Sequence, residues 1–466
     1  MTERDYVSQP SGYFPSAWPA ECGGPRRQKV TRAKGLALSA GERLKATTRI
    51  LGDELWPVMF VHRNHGELYL QGGTRIGQRR ASFGWVKQLD PISLETIRET
   101  PKLPSGGHNW CGAVCVHENG DLYMVNGRYC HRLSPDLGVV AEHRLETDNA
   151  HNGHVVLSDG NLVTKDIQND PRKRSFFTVL NPDLKVVDRF EFPANSVGRF
   201  SCDRLAGRDH LYVTSSTDIY RLVYANEKLS MDQSWRASYT VQGEDQSFAW
   251  DSTIGSDSVW FMDMGETSGV RRVLAAHPVG TNSSTARRIF FRIARILSQV
   301  GIAGALARGG IYGRPLHSSP IRVFRVSVSD PSDIEILVPF GLPGGNIVAP
   351  PLYDQDRKIL VAHDLMNRKV GAWRHDGDYG FKRLWIHDYL NTNQMTLYAD
   401  TGELLLDDCK TMGRWDAVVM DVETGEEKSR VDTGCVASGG MWYTPGFGRD
   451  FYTSTGLGGI ARIYVE

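Results

Sequence analysis

Polar turns followed by short apolar runs recur along the chain. In order they read NHGELYLQGG from Asn64, ENGDLYMVNG from Glu118, SDGNLVTKDI from Ser158, GRDHLYVTSS from Gly207, GSDSVWFMDM from Gly255, QDRKILVAHD from Gln355, DTGELLLDDC from Asp400 and FGRDFYTSTG from Phe447. Each joins a tight turn to alternating or continuous apolar residues, the pattern of a buried hairpin strand. The turn positions are Gly66, Gly120, Gly160, Asp209, Asp257, Arg357, Gly402 and Gly448. They lie roughly 40–55 residues apart, with one gap about twice as long, and that is the period of a four-stranded propeller blade.

The second and third units show all four strands. GAVCVHE, DLYMVNG, YCHRLSPD and VVAEHRL are matched by HVVLSDG, NLVTKDI, FFTVLNPD and KVVDRFEF, and the L-S-P-D and L-N-P-D turns fall at the same place. The eighth unit supplies only three strands before the chain ends. The segment ERLKATTRI, from Glu42 to Ile50, is placed to complete it and close the ring, which removes exposed sheet edges. The expected fold is therefore all-β: a β-propeller over 46–466, of eight four-stranded blades with seven the nearest alternative, preceded by an irregular arm over 1–45.

The long gap holds an insertion in the fifth blade, over 281–319. Within it Ile289, Ile293, Ile296 and Val300 share one helical face and Arg288, Arg292 and Arg295 another. This basic amphipathic helix suits a lid, self-association, or a peripheral membrane contact through 286–308.

Composition narrows the classes. Lysine plus arginine and aspartate plus glutamate both number 54, so the formal net charge is zero and nucleic acid is not an expected partner. Seven cysteines without a CxxC pair read as free thiols of a reducing, cytoplasmic location. The first residues lack the apolar core of a secretory signal, and no apolar run is long enough to span a membrane.

Aligned on their turns, the units place ionisable residues at one mouth of the tunnel. Six residues before the turn, successive inner strands carry His154, Asp203 and Asp251. Returning strands end at the same mouth with Lys165 and Asp166, Asp263, and His363 and Asp364. The HNGH segment adds His151 and Asn152, and GHNW adds His108 and Asn109. Such a cluster is costly to desolvate unless paired or ligated, which marks it as a candidate site. His151, His154, His108 and Asp166 are candidates for acid–base work. Asp203, Asp251 and Asp263 offer oxygen ligands to a divalent metal such as Ca²⁺. Asn109, Asn152, Lys165, His363 and Asp364 are candidates to bind substrate. Taken singly, each is as readily a tie between a loop and a neighbouring blade.

The turn–strand units such as SDGNLV and ENGDLYM, with the AHNGH segment before the third, resemble the broad set of propellers that includes gluconolactonase-like hydrolases and quinoprotein-like propellers. The first resemblance implies a divalent cation held at inner-strand ends, where Asn152 and Asp251 sit in comparable places. The second implies a bound redox cofactor. The leading expectation is a small-molecule hydrolase or lyase acting on a fairly apolar substrate. The alternatives are a docking platform for a protein partner and a redox propeller.

Overall fold

A computed structural model describes residues 12–52, 55–74, 82–108, 110–244, 246, 248–263, 319–347, 349–377, 380–411, 414–435, 442–455 and 458–466. Each turn–strand unit forms the inner part of one antiparallel sheet, and eight such sheets make an eight-bladed propeller. Blade three is representative. His151–Val156, Leu162–Asp166, Phe176–Leu180 and Val186–Glu191 pair in that order, and here they are called strands a, b, c and d. The other a strands are Leu55–His62, Cys111–Val116, Ser201–Leu205, Ala249–Ile254, Leu352–Asp354, Thr396–Tyr398 and Thr444–Pro445. The ring closes between the chain's two ends, where Leu44–Ile50 pairs antiparallel with Gly459–Val465.

The repeated tyrosines explain how neighbouring blades dock. Tyr69 Oη donates to the Pro135 carbonyl at 3.0 Å, Tyr123 Oη to Pro182 at 2.9 Å, and Tyr452 Oη to Pro91 at 3.0 Å. In each case a strand-b tyrosine reaches the c–d turn of the next blade, so the Leu-Tyr pair in the repeat carries both core and docking bond. The turns it meets are tight, and Leu137 and Leu184 close them with φ of 66° and 59°.

Several inner strands bulge at similar heights. The a–b register shifts between Pro57 and Met59, Cys111 and Ala113, Asn152 and Val155, and Ala249 and Ser252. In blade three the bulge contains Gly153, with φ of 74°, where a Cβ would lie 3.0 Å from the Phe200 ring. A bulge changes which face later side chains take.

The arm threads across the a–b turn end of the ring and meets all eight blades. Its carbonyls accept backbone hydrogen bonds from blades one, two, four, five and seven: His62 to Trp18, Val116 to Pro19, Cys202 to Pro25, Ile254 to Arg26 and Leu397 to Lys29. Tyr13 Oη accepts from Val156 N of blade three, Lys29 Nζ donates to the Pro350 and Pro351 carbonyls of blade six, and Trp442 of blade eight donates to Cys22 Sγ. Among the described residues the arm covers that end of the ring, and the opposite mouth is the one it leaves open.

Strands b and c of blade five, Ser258–Asp263 and Val323–Ser327, bracket residues 264–318. The expected helix over 286–308, with its lid, self-association and membrane readings, lies outside the described residues. Among the described residues no helix is long and apolar enough to cross a membrane.

Candidate functional site

The polar residues that end strand b have a shared structural task. Thr74 Oγ1 accepts from Phe83 N at 2.8 Å, Asp166 Oδ1 from Phe176 N at 2.7 Å, and Ser215 Oγ from Asp218 N at 3.0 Å. Asp263 Oδ1 accepts from Arg322 N at 2.7 Å, Asp364 Oδ1 from Asn367 N at 3.0 Å, and Thr455 Oγ1 from Gly459 N at 3.2 Å. Six blades thus use one side chain to fasten the b–c connection, where a buried amide would otherwise lack a partner. The acid–base reading of Asp166, the metal reading of Asp263 and the substrate reading of Asp364 each meet this tie instead. Asp263 is further engaged by the Arg322 guanidinium at 3.1 Å and by Gln246 at 2.6 Å.

His154, Asp203 and Asp251 go separate ways. His154 follows the Gly153 bulge and is buried between blades two and three, beside the Tyr123 backbone and near His117; burial pushes its pKa down to about 3. Asp203 holds Arg26 of the arm bidentately at 2.8 and 2.7 Å. Asp251 accepts from Arg27 at 2.7 Å and from the Arg199 amide at 2.6 Å. The two carboxylates therefore fasten the arm to blades four and five. Among the described residues no three His, Cys, Asp or Glu side chains are grouped to hold a metal ion.

Other expected residues, those of blades two and three, do meet at the mouth the arm leaves open. His151 is buried, with Nδ1 3.2 Å from the Asn149 carbonyl and Nε2 3.3 Å from Thr147 Oγ1, and burial lowers its pKa to about 3. His108 lies 3.6 Å from Asp148, which Arg128 also holds at 2.6 Å. Asn152 is clamped between Trp110 Nε1, at 3.1 Å, and the Val197 carbonyl, at 3.2 Å. Lys165, opposite Asn152 in register, is fully buried and donates to the Ser196 carbonyl at 3.1 Å. Burial lowers the Lys165 pKa to about 7, against the opposing pull of Asp166 and Asp251. His363 is buried in blade six, where burial and then the nearby Lys29 charge lower its pKa to about 3. Asn109 lies outside the described residues.

The centre of the site is a residue the repeat alignment passed over. Arg199 precedes strand a of blade four and is fully buried, and its guanidinium carbon lies 5.6 Å from the Trp110 ring centre and 5.2 Å from that of Trp442. Those rings belong to blades two and eight, and blade eight stands across the ring from blade four. The guanidinium therefore lies on the tunnel axis. Its Nε is 2.8 Å from Glu21 Oε1, and Glu21 also takes Arg27 at 2.8 Å. Lys29 adds a second buried amine below, with its pKa lowered to about 7 by burial. Ten residues before six of the eight turns the chain reads Trp56, Trp110, Ala150, Arg199, Ile347 and Thr392, while Trp442 lies only six before Gly448, so no single repeat position marks this layer.

No protein-family model matches the chain, and no curated protein matches its sequence. Solved structures do match in shape. Quinohemoprotein alcohol dehydrogenase from Comamonas testosteroni superposes with a TM-score of 0.59 at 10% identity, over 96% of this chain and 80% of that one. The likeness is one of fold, an eight-bladed β-propeller. A second quinohemoprotein alcohol dehydrogenase, from Pseudomonas putida, gives 0.56 at 10% identity over 97% and 80%. Virginiamycin B lyase from Staphylococcus aureus gives 0.45 at 12% identity over 91% and 99%.

Proposed function

We propose that the protein is a small-molecule enzyme that receives its substrate at the open mouth, over the Arg199 guanidinium, and moves a proton with Lys165. The observation that carries this reading is the convergence of Arg199, Trp110, Asn152 and Lys165 at the end of the tunnel that the arm leaves open. A buried amine with a pKa near 7 has a large neutral fraction at neutral pH, so it can accept a proton where an ordinary lysine cannot. Beside a fixed guanidinium, that pairing suits proton abstraction and elimination, the chemistry of a lyase. Hydrolysis would direct the same base at water. A propeller fold does not by itself fix the chemistry, so the choice is left to the site. A docking platform would present exposed aromatic anchors, whereas Trp56, Trp110 and Trp442 are buried.

The test is an unbiased one. Purified protein is screened against a small-molecule library by thermal shift, and stabilising compounds are then incubated with it and followed by mass spectrometry. The reading expects a compound that is both stabilising and consumed, with turnover lost in Lys165→Met. A library without any stabilising compound, together with a protein partner bound at this mouth, would overturn it.

A further inference from the structure

Arg199 spends only part of its hydrogen-bonding capacity on the protein. Its amide donates to Asp251 Oδ1 at 2.6 Å, and its Nε is shared between Glu21, at 2.8 Å, and the Gly112 carbonyl, at 3.3 Å. Nη1 and Nη2 find no hydrogen-bond acceptor among the described residues. The nearest carboxylate oxygen, Asp251 Oδ2, is 4.0 Å from Nη1 and is already committed to Arg27. Leaving a charged donor buried without an acceptor costs more than leaving a neutral one, itself worth about 1–3 kcal/mol.

The charge balance points the same way. Glu21 and Asp251 offset Arg27 and Arg199. Asp166 stands beside Lys165, so Lys29 is left to add up to one positive charge; among the described residues the two amines donate hydrogen bonds only to backbone carbonyls, Pro350 and Pro351 for Lys29, Asp166 and Ser196 for Lys165. One further negative charge is accommodated. The free edge of a guanidinium matches the two oxygens of a carboxylate in a planar, bidentate pair. The Trp110 and Trp442 rings lie within 5.6 Å and 5.2 Å of the guanidinium carbon and suit an apolar remainder.

Resting on the small-molecule reading above, we infer that Arg199 recognises the carboxylate of a small monocarboxylate through Nη1 and Nη2. Full enclosure of the guanidinium keeps the ligand small.

The experiment titrates the full-length protein with formate, acetate, butyrate and benzoate, each beside its amide, and with chloride. Tryptophan fluorescence and thermal shift provide the readouts, since two of the rings flank the site. The expected result is saturable binding of at least one acid, at least tenfold tighter than its amide, and weakened at least tenfold in Arg199→Lys. An amide that binds as well as its acid would overturn the carboxylate assignment while leaving the small-molecule reading in place. Chloride that binds as well as the best acid would overturn the bidentate geometry. Absence of any saturable response would overturn the inference, and the library screen then decides the broader reading separately. Where Arg199→Lys fails to fold, the acid–amide comparison on the unaltered protein still decides.

Discussion

Arg199 Nε and Glu21 Oε1 lie 2.8 Å apart on the tunnel axis, joining a residue of blade four to a residue of the N-terminal arm. Both side chains are buried, and the same Glu21 oxygen accepts from Arg27. Removing one member of such a pair leaves the other charge uncompensated, whereas replacing both with apolar groups does not.

Glu21→Ala is therefore expected to destabilise the fold by about 3–5 kcal/mol, the usual result of breaking a buried pair. Glu21→Leu combined with Arg199→Met should recover part of that loss. Urea unfolding of the two singles and the double measures the coupling. Losses that simply add would show that the pair acts as two separate contacts.

The arm's two neighbouring arginines should differ sharply. Arg26 is one-third exposed in its pair with Asp203, while Arg27 is buried against Glu21 and Asp251. Arg26→Ala should cost about 1 kcal/mol or less, as exposed pairs do, and Arg27→Ala several times more. Raising the salt should narrow the gap between Arg26→Ala and the unaltered protein and leave Arg27→Ala nearly unmoved. Equal midpoint shifts for the two variants would refute this account of how the arm is held.

How much of this was legible depends on how local each feature is. The eight units, their turns and the closing strand follow from spacing and alternation, because hairpin chemistry is written within about ten residues. Tyr69 and Tyr123 were visible as part of the repeat, although their docking bonds join different blades. The direction of His154 was not legible, because one bulge at Gly153 alters the alternation that places it. Asp166, Asp263 and Asp364 were legible as polar strand ends, but only three-dimensional contacts reveal what they fasten. Arg199 was missed because a long side chain crosses the tunnel, and reach of that kind has no sequence period. The aspartates that hold Arg26 and Arg27 lie 177 and 224 residues away along the chain.

Lys165 makes stability depend on pH in a defined window. Its folded pKa is lowered to about 7, below the value of about 10.4 for an unfolded lysine. Between these values the unfolded chain binds a proton that the folded protein does not, so stability rises with pH. It is fully present above the unfolded value and is lost as pH falls toward 7. Lys165→Met should therefore raise Tm relative to the unaltered protein at pH 7 more than at pH 9. The difference between the two proteins is the quantity to measure, because buried cysteines and tyrosines titrate in both. A difference independent of pH would place Lys165 in solvent contact. In the proposed reaction, kcat/KM should rise across the same amine's titration near pH 7.

His154 provides the matching test at low pH. Burial between blades two and three sets its folded pKa at about 3, against about 6.5 in an unfolded chain. The unfolded state binds the extra proton between those values, so the stability present above 6.5 is lost as pH falls toward 3. One such group contributes at most about 1.4 kcal/mol per pH unit to that loss. His154→Leu keeps an apolar filling between the blades and removes the titration, so its unfolding midpoint should depend less on pH between 6 and 4. Because His154 faces Tyr123 and His117 rather than Arg199, the variant should leave carboxylate binding within about twofold, the spread expected of distant independent sites. Loss of binding with an unchanged acid profile would return His154 to the tunnel and to the acid–base role its position in the repeat first suggested.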